Sequence, residues 1–214
     1  MKNVIRKQSD DYFFIATNFH EASHTITGLH NYFQVYDVSI LMPTIREGTT
    51  NFYIFDVDKD EELKQIFFIF ELQTIYAGLI GEKIYHKDIT GSDKFPSHLK
   101  NGAASDINQA ATLIRKNNLA KPGKNTFLLK KRIQNDVEQL LLEHWDAVRV
   151  IAHALYKKKK LNFDELKKLL TTKTNHNDFW KDRFKKIKTI YSDNSIADDD
   201  VVKDLVLEDL ILSI

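Results

Sequence analysis

The spacing of apolar positions along the chain predicts a mostly helical protein with a small sheet. Residues 10–24 place apolar side chains three and four positions apart, which is typical of a helix, and Gly28 follows as a stop signal. Residues 33–42 and 51–57 are rich in Val, Ile, Tyr and Phe, and the segment between them contains proline, glycine and threonines. This pattern predicts two neighbouring strands or a hairpin. Helical spacing returns over residues 60–85.

The second half of the chain has the pattern of helices joined by loops. Residues 86–102 are polar and contain glycine and proline, so we expect a loop there, and Ser105 is placed to cap a helix over residues 106–118. A long apolar stripe predicts a helix, continuous or interrupted, over residues 126–159. Residues 162–165, NFDE, have the form of a capping box and predict the start of a short helix.

The composition of the chain changes after residue 170. A basic aromatic segment at 179–191 is followed by an acidic run at 198–200 and then by an apolar tail. We therefore predict a principal domain over residues 1–170 and a helical appendage over residues 171–214. The apolar face of the tail is suited to packing on that domain or on a second subunit of a homo-oligomer.

Charge and cysteine content narrow the classes of function. With 31 basic and 30 acidic residues the chain is nearly neutral, so no nucleic-acid partner is expected. The absence of cysteine leaves His, Asp and Glu as the plausible zinc ligands. Residues 1–11 lack the apolar core of a signal peptide, and the apolar run at 66–81 is too short and too polar to span a membrane. We therefore expect a cytoplasmic protein without a membrane span.

The five residues HEASH, at positions 20–24, combine two histidines with a glutamate at metal-site spacing. On a helix, His20 and His24 lie one turn apart on one face, so both imidazoles can reach the same ion. Glu21 projects from the same end of the helix and is placed to act as a general base without binding the metal. The motif therefore predicts two zinc ligands and a catalytic carboxylate, and a third protein ligand must come from elsewhere.

Two kinds of third ligand follow from known zinc peptidases. His30 has the spacing of the third metzincin histidine, but the glycine of that pattern is displaced from position 27 to Gly28. Glu71 or Glu82, on the next predicted helix, could serve as the glutamate ligand of thermolysin-like enzymes.

Several segments together resemble the peptidase domain of FtsH-type zinc proteases. Residues 101–110, NGAASDINQA, are similar to the TGASNDL segment of that family, and residues 76–84, YAGLIGEKI, are similar to its GGRAAEEL helix. Residues 38–55 resemble its strand pair after the zinc helix, and residues 142–170 resemble its closing helices. The likeness covers about residues 10–170.

The resemblance implies a helical bundle around the zinc helix, with Asp106 as the third ligand beside His20 and His24. It implies a zinc metalloendopeptidase in which Glu21 serves as the base and flexible or unfolded polypeptide is hydrolysed through a metal-activated water. The resemblance further implies a homo-oligomer. Because the sequence has no ATPase module, a separate ATPase that delivers substrate is also expected.

The chain departs from the family pattern at Ser23, where the family has glycine, and at Leu79, where it has arginine. The loop before the aspartate segment, residues 88–101, is longer. Two alternatives therefore stay open. The first is a catalytically silent binding or regulatory module that keeps its zinc, and the second is a metzincin-like zinc peptidase that uses His30.

Overall fold

The computed structural model describes residues 2–42, 47–54, 57, 60–95, 103–117, 119, 123–191 and 199–212. Helices dominate this part of the chain, and three strands form one small antiparallel sheet, so the predicted mostly helical class with a small sheet is confirmed. In chain order the elements are α1 (Lys2–His30), β1 (Gln34–Met42), β2 (Glu47–Tyr53), α2 (Glu61–Thr90), α3 (Ala104–Lys116), α4 (Lys124–Glu143), α5 (Trp145–Lys158), β3 (Lys160–Asn162), α6 (Phe163–Lys173), α7 (Asn177–Ile190) and α8 (Asp199–Leu212).

The first helix does not end at the glycine that was predicted to stop it. It runs through Gly28 to His30, and the chain then turns at Tyr32, whose φ is 65°. A Cβ at position 28 would lie 2.3 Å from Cε1 of Phe52, so the glycine permits close packing against β2. The prediction was wrong because glycine served a tertiary contact and not a helix terminus.

The sheet has the order β2-β1-β3, so β2 is an edge strand. The two predicted strands pair antiparallel, with Val38 opposite Thr50, but β2 begins at Glu47 and includes the glycine and threonines expected to separate the strands. Pairing with β1 outweighs the low strand propensity of Gly48, and threonine is itself favoured in strands. The three-residue strand β3 was not predicted, because it is too short to show an alternating pattern.

The second helix is longer than its periodicity indicated. Asp60 caps its first turn, accepting hydrogen bonds from two backbone N–H groups, and the helix continues to Thr90 before ending at Gly91, where φ is 66°. Residues 86–90, predicted as loop, are therefore helical. Of the rest of that predicted loop, residues 91–95 are irregular and residues 96–102 lie outside the described residues.

Two predicted helix starts have different outcomes. The cap of α3 is Ala103 and makes no side-chain hydrogen bond, so Ser105 lies inside the first turn and the prediction that it caps the helix was wrong. The capping box before α6 is confirmed: Asn162 Oδ1 accepts from the N–H of Glu165, and Glu165 Oε2 accepts from the N–H of Asn162. The long predicted helix is interrupted at His144, between α4 and α5.

Residues after 170 pack against the rest of the chain. Trp180, Phe184 and Ile187 of α7 are buried in the main core, which includes α1, α2 and β1. Val202 and Val206 of α8 belong to a second cluster formed with the turn after α1 and the start of α2. The boundary proposed at residue 170 stays a prediction.

One helix, α2, meets the length and composition expected of a membrane span. The mean hydropathy of its most apolar 18-residue window is 1.3, and half of that window is buried inside the protein. Core helices of globular proteins have the same character, so this is a weak indication. The expectation that no segment spans a membrane also stays a prediction.

Candidate metal centre

The HEASH residues lie in the middle of α1, in the part of the helix that packs against α2 and the sheet. His20, Glu21 and His24 are all buried. The helical spacing brings the Nε2 atoms of His20 and His24 to 2.9 Å from each other. Both ring nitrogens therefore face the same small volume.

Asp106 reaches this volume from the first turn of α3. Its Oδ2 lies 3.2 Å from Nε2 of His20 and 3.5 Å from Nε2 of His24. In the described part of the chain, His20, His24 and Asp106 form the one group whose ligand atoms lie within 4.8 Å of one another and could hold a metal ion. The structure thus brings together three side chains that are far apart in sequence.

The other ring nitrogen of each histidine fixes its tautomer. Nδ1 of His24 lies 2.7 Å from the backbone carbonyl oxygen of Thr74, and Nδ1 of His20 lies 2.7 Å from Oε1 of Glu82. A carbonyl oxygen can only accept, and a carboxylate oxygen is also an acceptor, so we infer that both Nδ1 atoms carry the proton and donate. Both Nε2 atoms then present lone pairs to the centre, as metal-binding histidines do.

These donor atoms fit a cation. Two Nε2 lone pairs and Asp106 Oδ2 converge, and Oδ2 is fully buried without a hydrogen-bond partner in the described structure. Such a cluster of acceptors is costly without positive charge among them. Two imidazoles and one carboxylate are a donor set that suits zinc with one position open to solvent or substrate.

The space beside the two histidines exists because residue 78 is glycine. A Cβ built at Gly78 would lie 2.4 Å from Nε2 of His20 and 2.4 Å from Nε2 of His24. Any other residue would place carbon against the atoms that would bind the ion. Gly78, in the sequence AGL at positions 77–79, therefore leaves space for an ion beside the two histidines.

The protonation behaviour of the ligands reflects their mutual proximity. Burial alone would lower the pKa of His20, but the carboxylates of Asp106 and Glu82 raise it well above its ordinary value. Burial would likewise raise the pKa of Asp106, yet the nearby imidazole rings of His20 and His24 hold it well below its ordinary range. Asp106 is therefore a carboxylate at neutral pH, the form needed for a metal ligand.

Glu21 is held at the edge of the centre by β2. The hydroxyl of Thr50 donates to Glu21 Oε2 over 2.7 Å. A Cβ at Gly48 would lie 2.5 Å from Oε1 of Glu21, so the glycine makes room for the carboxylate. The residues that were predicted to separate two strands thus position the candidate base.

A cleft of about 840 Å³ opens over these residues. Its wall is formed by α1, β2, α2 and α3, and the candidate ligands and Glu21 all line it. The apolar part of the wall consists of Phe13, Ala16, Phe33, Phe52, Ile54 and Ile75. An extended peptide segment fits a cleft of this size and character.

The other residues considered as third ligand take different positions. His30 lies at the end of α1, with its ring centroid 5.7 Å from that of His144 and 5.6 Å from that of Phe179, and it is not part of the group. Glu82 accepts a hydrogen bond from His20 and so orients a ligand. Glu71 lines the cleft. The orienting roles of Glu82 and Thr74 were missed by the sequence reasoning, because helix periodicity does not show which neighbour a side chain contacts.

The departure from the family pattern at Ser23 has a local explanation. A Cβ at Gly81 would lie 1.9 Å from Oγ of Ser23, whose hydroxyl donates to the carbonyl of Phe19. Serine on α1 therefore lies opposite glycine on α2, and this combination lets the two helices approach closely.

Comparison with known proteins adds no relative: a scan against protein families and a search of curated proteins each found no match for this chain. The resemblance to FtsH-type proteases therefore stays a prediction, and the function is inferred from the geometry of the centre.

Proposed function

We propose that this chain is a zinc metallopeptidase of the FtsH type, which hydrolyses flexible or unfolded polypeptide. One observation carries the proposal: the ligand atoms of His20, His24 and Asp106 converge beside the carboxylate of Glu21, and all four residues line an open cleft. A structural metal site would be closed, whereas a hydrolytic site needs an open position and a base.

His20, His24 and Asp106 would hold the zinc ion, with Glu82 and the Thr74 carbonyl fixing the two rings. When bound, zinc would supply Lewis-acid chemistry, making a water molecule more acidic and polarising the scissile carbonyl. Binding requires the ligands in their deprotonated forms. The lowered pKa of Asp106 provides its carboxylate, whereas the raised pKa of His20 means that a cation must displace a proton from that ring.

Glu21 would move the proton. Its Oε2 is engaged by Thr50, whereas Oε1 has no hydrogen bond among the described residues. We therefore assign Oε1 as the atom that takes a proton from the attacking water and later passes it to the leaving amine. The hydrogen bond from Thr50 limits rotation of the carboxylate during both transfers.

The edge strand β2 would align the substrate. Its one partner in the described sheet is β1, so its outer edge carries free backbone N–H and C=O groups, and residues 47–50 line the cleft. An extended peptide can add to such an edge through backbone hydrogen bonds, with little demand on its sequence. Flexible chains can adopt this extended conformation readily, which favours them as substrates.

The metal assignment is tested by measuring zinc content in the purified protein and in two variants. We expect about one zinc per chain, a large loss in Asp106→Ala and full retention in His30→Ala. The opposite pattern would replace this assignment with the metzincin-like one.

The catalytic assignment is tested with Glu21→Gln, which keeps the size of the side chain but removes the base. We expect zinc to be retained and cleavage of casein or a flexible peptide to fall by about 10²–10⁴-fold. Unchanged turnover would exclude Glu21 as the base. A zinc-loaded wild-type protein that cleaves neither substrate would favour the silent binding module.

Delivery by a separate ATPase, assembly into a homo-oligomer and a cytoplasmic location are part of the same proposal. The first two follow from the resemblance, and the location follows from the sequence pattern. Sedimentation of the zinc-loaded chain tests the oligomer directly.

A further inference from the structure

One face of α2 runs along the whole cleft. Glu71, Ile75, Gly78 and Glu82 are spaced by four, three and four residues and therefore lie on the same side of the helix. Gly78 and Glu82 adjoin the candidate metal ligands, and Ile75 and Glu71 continue the wall. With a rise of 1.5 Å per residue, Glu71 lies about 10 Å along the axis from Gly78. A long side chain next to the scissile bond can bridge that distance.

This face carries two acidic side chains. Glu82 contacts His20, and Glu71 has no such role in the candidate centre. It is half-buried, and it makes no hydrogen bond or ion pair with any described residue. Burial raises the pKa of Glu71, while the charge of Lys116 on α3 lowers it in part. Lys116 is exposed and does not line the cleft. The carboxylate is thus partly removed from water without a compensating partner.

The charged side chains that line the cleft, among the described residues, are all acidic. They are Glu21, Glu47, Glu71, Glu82 and Asp106. Asp106 and Glu82 are engaged by histidines, and Glu21 is engaged by Thr50. Glu47 is exposed at the rim of the cleft. Glu71 is therefore the acid within the wall that is available to a ligand.

We propose that Glu71 determines substrate specificity by binding the cationic side chain of a lysine or arginine close to the scissile bond. This role rests on the proposed peptidase function. The aliphatic stem of such a side chain matches the apolar wall around Ile75, and its charge matches the carboxylate. An acidic substrate side chain at the same place would be repelled by the charge of Glu71. The cleft therefore favours basic side chains and disfavours acidic ones.

The test uses the zinc-loaded Glu21→Gln protein, so that bound peptides stay intact. Three fluorescein-labelled Gly/Ser peptides differ at one central residue, which is lysine, norleucine or glutamate, and their affinities are measured by fluorescence anisotropy. We expect the lysine peptide to bind about tenfold more tightly than the glutamate peptide. Adding Glu71→Gln should reduce that ratio to less than about threefold, and Glu71→Lys should reverse it.

Glu143→Gln is the matched control, because Glu143 is exposed on α4 and does not line the cleft. Its removal changes the net charge equally and should leave the ratio unchanged. Equal affinities for the three peptides, or a preference that survives in Glu71→Gln, would overturn the proposal. The two proposals fail separately: if the wild type cleaves no peptide while the lysine preference depends on Glu71, the peptidase function is wrong and Glu71 remains a cation-binding residue.

Discussion

This protein has two pairs of largely buried histidines, His20 with His24 and His30 with His144. Their surroundings are opposite. Nε2 of His20 and Nε2 of His24 lie 2.9 Å apart and face a carboxylate. The rings of His30 and His144 lie 5.7 Å apart, and both stack on Phe179. The sequence alone offered both residues of the first pair, and only His30 of the second, as candidate zinc ligands. What separates them is the charge of their neighbours.

Carboxylates outweigh burial in setting the pKa of His20, whereas burial prevails at His30 and His144, where Arg183 acts in the same direction. Asp106 and Glu82 raise the pKa of His20. Burial together with Arg183 lowers the pKa of His30 to about 3, and burial lowers that of His144 to about 4. Arg183 is itself paired with Asp209 at 2.9 Å. Burial therefore does not identify a candidate metal ligand, whereas the convergence of two imidazole Nε2 atoms with a carboxylate oxygen does.

The sharpest test of this comparison exchanges one histidine of each pair for glutamine. His24→Gln should lower zinc affinity by about a thousandfold, because a zinc ligand is lost. His144→Gln should keep one zinc per chain. Competition with a chelator measures both affinities, and circular dichroism checks the fold. Equal zinc affinity in the two variants would mean that the two pairs had been wrongly distinguished.

A smaller loss of zinc affinity is expected from Gly78→Ala, which leaves all three candidate ligands in the chain. The added methyl group would lie 2.4 Å from each Nε2 and should weaken zinc binding by about a hundredfold, with the ligands all present. The same chelator competition gives the affinity. Gly28→Ala is the control, since its Cβ meets Phe52 and not the histidines, so it should alter stability while zinc binding is retained.

Gly81→Ala tests the helix contact that supports the first pair. Its Cβ would meet Ser23, so we expect the free energy of unfolding to fall by about 1–3 kcal/mol. Adding Ser23→Gly should restore most of this loss, because the obstructing side chain is then removed. Urea unfolding of the two single variants and the double variant gives the coupling. Additive effects would show that these residues do not contact each other.

The smallest effect is a pH dependence that comes from the second pair. Because the pKa of His144 is about 4 in the folded protein and near 6.5 when unfolded, the unfolded chain binds more protons between these values. The contribution of His144 to the free energy of unfolding is therefore present above pH 6.5 and is lost as the pH falls towards 4. The loss between pH 6.5 and 5.5 is about 1 kcal/mol.

This pH effect is measured by urea unfolding with chelator present, so that loss of metal does not contribute. His144→Gln should show a shallower decline over the same range, because it removes one of the groups that titrate. An identical slope in the two proteins would show that His144 is not the group responsible.

Much of the secondary structure could be predicted because it depends on local patterns. The helical period of α1 and the capping box at Asn162 are properties of adjacent residues, and both are present. The failures have a common cause. Gly28, Gly48 and Ser105 were interpreted by their local preferences, but Gly28 and Gly48 are placed by contacts with Phe52 and Glu21, and Ser105 lies within a helix that starts earlier.

The sequence by itself determined the helix that carries His20, Glu21 and His24, because a spacing of four on a helix places two side chains on one face whatever surrounds them. It also supplied Asp106 as a candidate, through resemblance. Only the tertiary structure decided which atoms meet. The Nδ1 partners, the opening at Gly78, the support of Glu21 by Thr50 and the separation of His30 all depend on residues distant in sequence. Local patterns fix the direction of a side chain, but the packing of helices and strands fixes its neighbours, and the neighbours set its protonation and its chemistry.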